Sequence, residues 1–202
     1  MENYLDSINR MIEAVRHVVS GKDDVVRMAV AALIAGGHIL IEDIPGVGKT
    51  TLAVALSKVM QLDYRRMQFT PDVMPTDVVG YRLYSKTGED MGLKSGSIMC
   101  NLFLADEINR TSPKTQSALL EVMEEGNVTV DGVTVSVPRP FHVIATQNPI
   151  GSAGTQALPE SQLDRFMIRL SLGYPDLDDE IEIMRTRHEK DPMDDLKPVM
   201  AK

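Results

Sequence analysis

Four short groups of residues in this 202-residue chain have types and spacings suited to phosphate chemistry. The first is Glu42-Asp43-Ile44-Pro45-Gly46-Val47-Gly48-Lys49-Thr50-Thr51. Glycines spaced this way let successive backbone amides curl into an anion nest, and the Lys-Thr pair opens a helix whose N-terminus is positive. Pro45, Gly46, Val47, Gly48, Lys49, Thr50 and Thr51 are therefore the candidate nucleotide-binding residues. Lys49 would reach the outer phosphates and the Thr50 hydroxyl a magnesium ion. The plain alternative is a tight strand-to-helix turn that happens to expose a lysine. Loops of this kind usually begin with glycine where this one has Asp43. A carboxylate aimed at a triphosphate would repel it, so Asp43 is expected to point away, leaving residues 45–50 to form the nest.

The second group, Leu102-Phe103-Leu104-Ala105-Asp106-Glu107, is an apolar run ending in two carboxylates. Acidic side chains at the carboxyl end of a parallel strand face the same crevice as a phosphate loop. Asp106 is the expected magnesium ligand, and Glu107 the group that orients and polarises water for in-line attack on a γ-phosphate. An acidic cap on the following turn is the bland reading. In the third group an apolar run at 141–146 meets Gln147-Asn148-Pro149. An amide at the tip of a neighbouring strand can hydrogen-bond both a γ-phosphate and an attacking water, which makes Asn148 a candidate sensor. Asn-Pro is also a common turn starter. The fourth is Arg165, after Leu158-Pro159-Glu160-Ser161-Gln162-Leu163-Asp164. Its guanidinium could pair within its own subunit or reach a neighbour's γ-phosphate, and its chemistry alone does not choose.

These side chains can act together only if strand tips bring them to one edge of a sheet. Short apolar runs at 38–41, 64–69, 101–105, 141–146 and 166–172 read as strands, and helical spacing marks 3–19, 25–35, 49–60, 112–125 and 159–164. Asp23 or Asp24 would cap the second helix and Gly36-Gly37 would end it. Alternating strands and helices imply a parallel sheet covered on both faces. Two hairpins interrupt the alternation, one over 128–135 around Asp131-Gly132 and one over 81–93 around Thr87-Gly88-Glu89-Asp90. Residues 191–202, with two prolines and several charges, read as a linker or frayed end.

Acidic residues outnumber basic ones 29 to 21, for a net charge of −8, which supplies no general footprint for nucleic acid or an anionic membrane. No apolar run is long enough to span a bilayer and no signal pattern opens the chain. The single cysteine, Cys100, cannot form an internal disulfide, and a cytoplasmic protein is expected. Cys100 and the four histidines read as structural groups, and the 13 methionines as core filler.

Taken in order, the phosphate loop, LFLADEINRTSPKTQSALLEVMEEG at 102–126, HVIATQNP at 142–149 and LPESQLDRF at 158–166 followed by YPD resemble the AAA+ ATPases, and more narrowly the MoxR family, from about Val15 to Asp178. The resemblance implies an α/β P-loop NTPase fold with a parallel five-stranded sheet of order 5-1-4-3-2, helices on both faces and two β-hairpin insertions. It implies ATP and Mg2+ as cofactors, Lys49 and Thr50 as Walker A, Asp106 and Glu107 as Walker B, and Asn148 as the first sensor. Arg165 would be the arginine finger completing a neighbour's site, hence a ring, usually a hexamer. Arg110 would also face the neighbour. A protein client is implied, with a von Willebrand A domain partner; the charge balance and the short apolar runs leave no expected role for nucleic acid or membrane insertion. Residues 1–190 would be the nucleotide-binding core with its N-terminal helix, and 191–202 a linker towards a helical lid that this chain lacks, leaving turnover weak. Competing readings are a P-loop kinase, a nucleotide-gated binding module with little turnover, and a DNA-directed relative. The last is disfavoured because the hairpin VTVDGVTVSV holds no lysine or arginine.

Overall fold

A computed structural model describes residues 4–148, 158–189 and 191–200. Five parallel strands form the central sheet: β1 (Ile39–Glu42), β2 (Tyr64–Gln68), β5 (Leu102–Asp106), β8 (His142–Gln147) and β9 (Ile168–Leu170), ordered β2-β5-β8-β1-β9. Counting only these five, the order is the expected 5-1-4-3-2 read from the other edge. Each strand enters the sheet in the same direction, so the carboxyl ends of β1, β5 and β8 lie along one edge. That edge carries the phosphate loop, the two carboxylates and Asn148.

Side-chain alternation explains why both faces are covered. Ile39, Ile41, Leu102, Leu104 and Ile144 point into one buried cluster, built with α1 (Tyr4–Arg16), α2 (Asp23–Ile34) and α3 (Lys49–Val59). Leu40, Phe103, Ala105, Val143 and Ala145 point into the other, with α4 (Pro75–Val79) and α5 (Pro113–Glu125). Strands buried on both sides read as continuous apolar runs, as parallel strands do. Burying each large aliphatic side chain contributes about 1.5–3 kcal/mol, so the sheet interior is the rigid platform for the site.

Both insertions are antiparallel hairpins: β3 (Gly80–Tyr84) with β4 (Asp90–Ser95), and β6 (Asn127–Val130) with β7 (Val133–Ser136). At the second turn Asp131 and Gly132 both have positive φ, 48° and 75°, as a two-residue type I′ turn demands.

Three local expectations need correction. The second helix is not capped by Asp23 or Asp24; Lys22 holds the cap position without a side-chain cap bond. The Asp23 carboxylate is engaged elsewhere, accepting from Arg16 Nε at 2.6 Å and so tying α2 to α1, which ends at Arg16 rather than 19. A short helix α6 (Glu160–Leu163) precedes the last strand and a helix α7 (Leu177–Glu189) follows it, with Asp178, Asp179 and Glu180 in the first turn of α7, where carboxylates suit the positive helix end. Residues 191–200 are docked, not frayed. Met193, Leu196, Val199 and Met200 pack on the first cluster, Val59 C=O accepts from Val199 N–H at 2.8 Å, and Lys58 Nζ donates to Met193 C=O at 2.7 Å. The apolar spacing 193, 196, 199 was the signal, outweighed in the sequence by the prolines and charges.

Candidate functional site

The loop from β1 to α3 turns through Gly46 and Gly48, at φ 90° and 94°. A side chain at Gly46 would meet no atom within 4 Å, so the left-handed backbone, not crowding, calls for glycine there. Lys49 is buried, at 8% exposure, and its ammonium donates to the carbonyls of Asp43 at 2.7 Å and Ile44 at 3.0 Å. Burial pushes its pKa below the ordinary lysine range, and the charges of Asp106, Asp43 and Glu107 oppose that shift.

Asp43 is turned away from the loop amides. One carboxylate oxygen accepts from the N–H groups of Leu172 and Gly173, the latter at 3.0 Å, and from the Ser171 hydroxyl at 3.2 Å. The charge that would repel phosphate is spent capping amides beyond β9, and it fastens the loop to that strand.

At the tip of β5 the two carboxylates are held differently. Asp106 Oδ1 accepts from the buried Thr146 hydroxyl at 2.6 Å, and Oδ2 from Arg66 Nη2 at 2.6 Å and Nε at 3.2 Å. Glu107 has φ 58° and ψ 46°, a left-handed conformation costing a residue with a side chain about 1–2 kcal/mol. Its N–H donates to Thr146 Oγ1 at 2.8 Å. The turn swings the Glu107 carboxylate sideways, where Oε1 accepts from Asn148 Nδ2 at 3.2 Å and Oε2 from Arg110 at 2.8 Å. Arg110 therefore pairs within its own chain. The Asn148 Oδ1 atom is buried and has no hydrogen-bond partner among the described residues.

Two adjoining clefts meet at the loop. One, of about 370 Å3, is lined by the loop together with Lys49, Thr50, Arg66, Gln68, Asp106 and Glu107. The other, of about 350 Å3, is largely apolar, with Val18, Val19, Val47, Pro175, Ile183 and Met184. They share Gly46, Gly48 and Thr51, and so combine a polar seat for phosphates with an apolar slot for a flat base. Lys22 Nζ donates to Tyr174 C=O at 2.8 Å, joining the walls of the slot. Among the described residues no group of three or more His, Cys, Asp or Glu could cage a metal. One carboxylate, Asp106, and one hydroxyl, Thr50, fit magnesium, which takes hard oxygen donors and fills its remaining positions with phosphate oxygens and water.

Sequence reasoning missed several of these residues. Arg66 belongs to none of the four groups; it turns from β2 onto Asp106. The period-2 rule contained the signal, since Arg66 shares a face with Gln68, whose Cα partner across the β2–β5 pair is Asp106. Asn109 and Asn148 exchange bonds, Asn109 Nδ2 to Asn148 C=O at 3.1 Å and Asn148 N–H to Asn109 Oδ1 at 3.4 Å. The apolar slot is built from segments far apart in sequence. Arg165 does not enter the phosphate cleft of its own chain. It pairs with Glu124 at 2.6 Å and donates to Ser161 C=O, in a separate cleft with Met123 and Asp164.

A phosphate loop, paired carboxylates on one neighbouring strand tip and an amide on the next, on this sheet order, define the core of a P-loop ATPase of AAA+ type. The ATPase family associated with various cellular activities (AAA) matches residues 38–168. The uncharacterized protein YeaC of Bacillus subtilis (strain 168) is 49% identical over 96% of the chain and 61% of its own length. Chaperone MoxR1 of Mycobacterium tuberculosis is 43% identical over 88% of the chain and 47% of its own length. A crystal structure from Cytophaga hutchinsonii, provisionally described as an ATPase, superposes with a TM-score of 0.86 at 40% identity, covering 98% of this chain and 60% of that one. The chain belongs to the MoxR family of AAA+ ATPases. It spans roughly half to three-fifths of the length of these relatives.

Proposed function

We propose that this chain is the ATP-binding and ATP-hydrolysing core of a MoxR-type chaperone that assembles into a ring, as a hexamer, and remodels a protein client together with a von Willebrand A domain partner. The carrying observation is the contact between Glu107 and Asn148 beside the cleft that holds Lys49, Thr50 and Asp106. Lys49 neutralises the outer phosphates and the loop amides hold them. Glu107 aligns the attacking water, and the free Asn148 acceptor fixes that water's orientation. Magnesium, bound through Asp106 and Thr50, would neutralise charge on the phosphates. Base and sugar enter the apolar slot between residues 18–22 and α7.

Arg165 acts on a neighbour's γ-phosphate in this reading. Its separation from its own phosphate cleft supports a role in trans, and a ring follows from such a finger. The acidic balance and a β6–β7 hairpin without lysine or arginine favour a protein client over nucleic acid. No described helix is long and apolar enough to cross a membrane, and with the lone buried cysteine this supports work in the cytoplasm.

The test is Glu107→Gln. Phosphate release should fall by about two to four orders of magnitude, the usual worth of a positioned general base, while ATP binding persists and light scattering shows ATP-loaded assemblies accumulating. Turnover that requires an added phosphate acceptor would identify a kinase. Assembly and partner binding indifferent to Glu107→Gln would identify a nucleotide-gated binding module.

A further inference from the structure

Arg66 sits where the chemistry of the proposed site needs a metal ion. Its guanidinium grips Asp106 Oδ2 through two nitrogens, at 2.6 and 3.2 Å, and Nη2 also reaches Gln68 Oε1 at 3.4 Å. The other carboxylate oxygen, Oδ1, is held by the buried Thr146 hydroxyl, which is itself fixed by the Glu107 N–H. Asp106 therefore has one oxygen facing the cleft that contains Lys49 and Thr50, and Arg66 is on it. A divalent cation held at Asp106 from the cleft, directly or through a water, would draw on that same oxygen. Two cations sharing one carboxylate oxygen weaken each other, by crowding and by like-charge repulsion. Arg66 is also free to leave. Its side chain is 47% exposed, against 11% for Asp106, and it stands on β2, an edge strand of the sheet.

We propose that Arg66 competes with magnesium for Asp106: its guanidinium is an internal counter-ion that the metal must displace, so that Arg66 sets the magnesium concentration at which nucleotide is held tightly. The proposal rests on the reading of this cleft as a magnesium-nucleotide site. Arg66 is thereby a positioning residue acting through Asp106, and its effect should appear in metal dependence before it appears in turnover. The geometry also predicts which replacement matters. Removing the charge should release Oδ2, whereas lysine, with one nitrogen in place of a two-point grip, should release it only in part.

The experiment titrates Mg2+ against the 202-residue chain and a fluorescent ADP analogue, for the wild type, Arg66→Gln and Arg66→Lys. The Mg2+ concentration giving half the affinity gain should fall about three- to tenfold in Arg66→Gln, as for loss of a partly exposed, charge-assisted pair. Arg66→Lys should fall between, and affinity in excess chelator should not rise. An unchanged or raised Mg2+ requirement in Arg66→Gln overturns the proposal. A second measurement needs no variant: the arginine Nε–H resonance of Arg66 in the wild-type chain should shift on adding Mg2+ with ADP and stay put with ADP in chelator. A resonance that ignores Mg2+ overturns the proposal as well. The underlying reading is tested apart from this, since Lys49→Ala must weaken binding roughly tenfold to a hundredfold. Lys49-dependent binding with no Arg66 effect sinks only the role of Arg66, and binding indifferent to Lys49 sinks the nucleotide site itself.

Discussion

The phosphate loop and the tip of β5 face the same cleft but are built in opposite ways. In the loop, the Lys49 ammonium is held by carbonyls five and six positions earlier, and the left-handed turns at Gly46 and Gly48 need nothing beyond glycine itself. At the tip of β5 the holders come from elsewhere: Arg66 and Thr146, each 40 positions from Asp106, and Asn148, 41 from Glu107. One region is a local motif. The other is assembled only when three strands lie side by side, and so it reports on the integrity of the sheet.

Breaking the local region should have the largest effect on binding. Lys49→Ala removes a charge-assisted contact to phosphate worth about 1.5–3 kcal/mol, so ADP should bind roughly tenfold to a hundredfold more weakly by fluorescence titration, with an unchanged unfolding midpoint. A lower midpoint together with weaker binding would mean that the loop, too, depends on its surroundings. Thr146→Val addresses the assembled region. It keeps the shape but strips Asp106 Oδ1 and the Glu107 N–H of a shared partner, and should cost about 1–3 kcal/mol in urea unfolding while moving Glu107. If stability and nucleotide affinity both stay at wild-type values, the cross-strand account of this tip is wrong.

The smallest effect lies at the opposite ends of the same strands and serves as a control. His38 Nδ1 accepts from Val143 N–H at 2.9 Å and Nε2 donates to Met123 C=O at 3.1 Å, a neutral ring bridging β1, β8 and α5. Burial, followed by the charge of His142, pushes its pKa below the ordinary histidine value, and burial does the same to His142. The unfolded chain takes up these protons below pH about 6.5 while the native state resists. Their stabilising contribution is therefore complete above that pH and shrinks as pH falls. The unfolding midpoint should drop between pH 7.5 and 5.5, and less in His38→Gln; equal slopes would remove His38 from the account.

Much of the architecture was legible because its signals are local. Leu102–Asp106 and His142–Gln147 are apolar strands with polar tips, Asp131-Gly132 is a hairpin turn, and Ser112 caps α5, accepting from Thr115 N–H. Errors occurred where side chains had a choice of partner. Asp23 could cap its helix or bind Arg16; Arg66 could face water or Asp106; the residues at 193, 196 and 199 could trail or dock. In each case burial or charge pairing at long range outbid the local option. Cys100 followed the plain expectation, a buried thiol whose pKa is pushed up to about 12.

By itself, the sequence determined the order of elements, the glycine-dependent loop and the identity of the groups able to handle phosphate, since those depend on backbone conformation and side-chain type. Tertiary structure alone decided which charges meet. Asp43 is spent on the amides beyond β9, Arg66 on Asp106, Asn148 on Glu107, and Arg165 on Glu124, outside its own cleft. The reason is that an ion pair is fixed by distance in space, and parallel strands place residues about 40 positions apart in the chain within a hydrogen bond of one another.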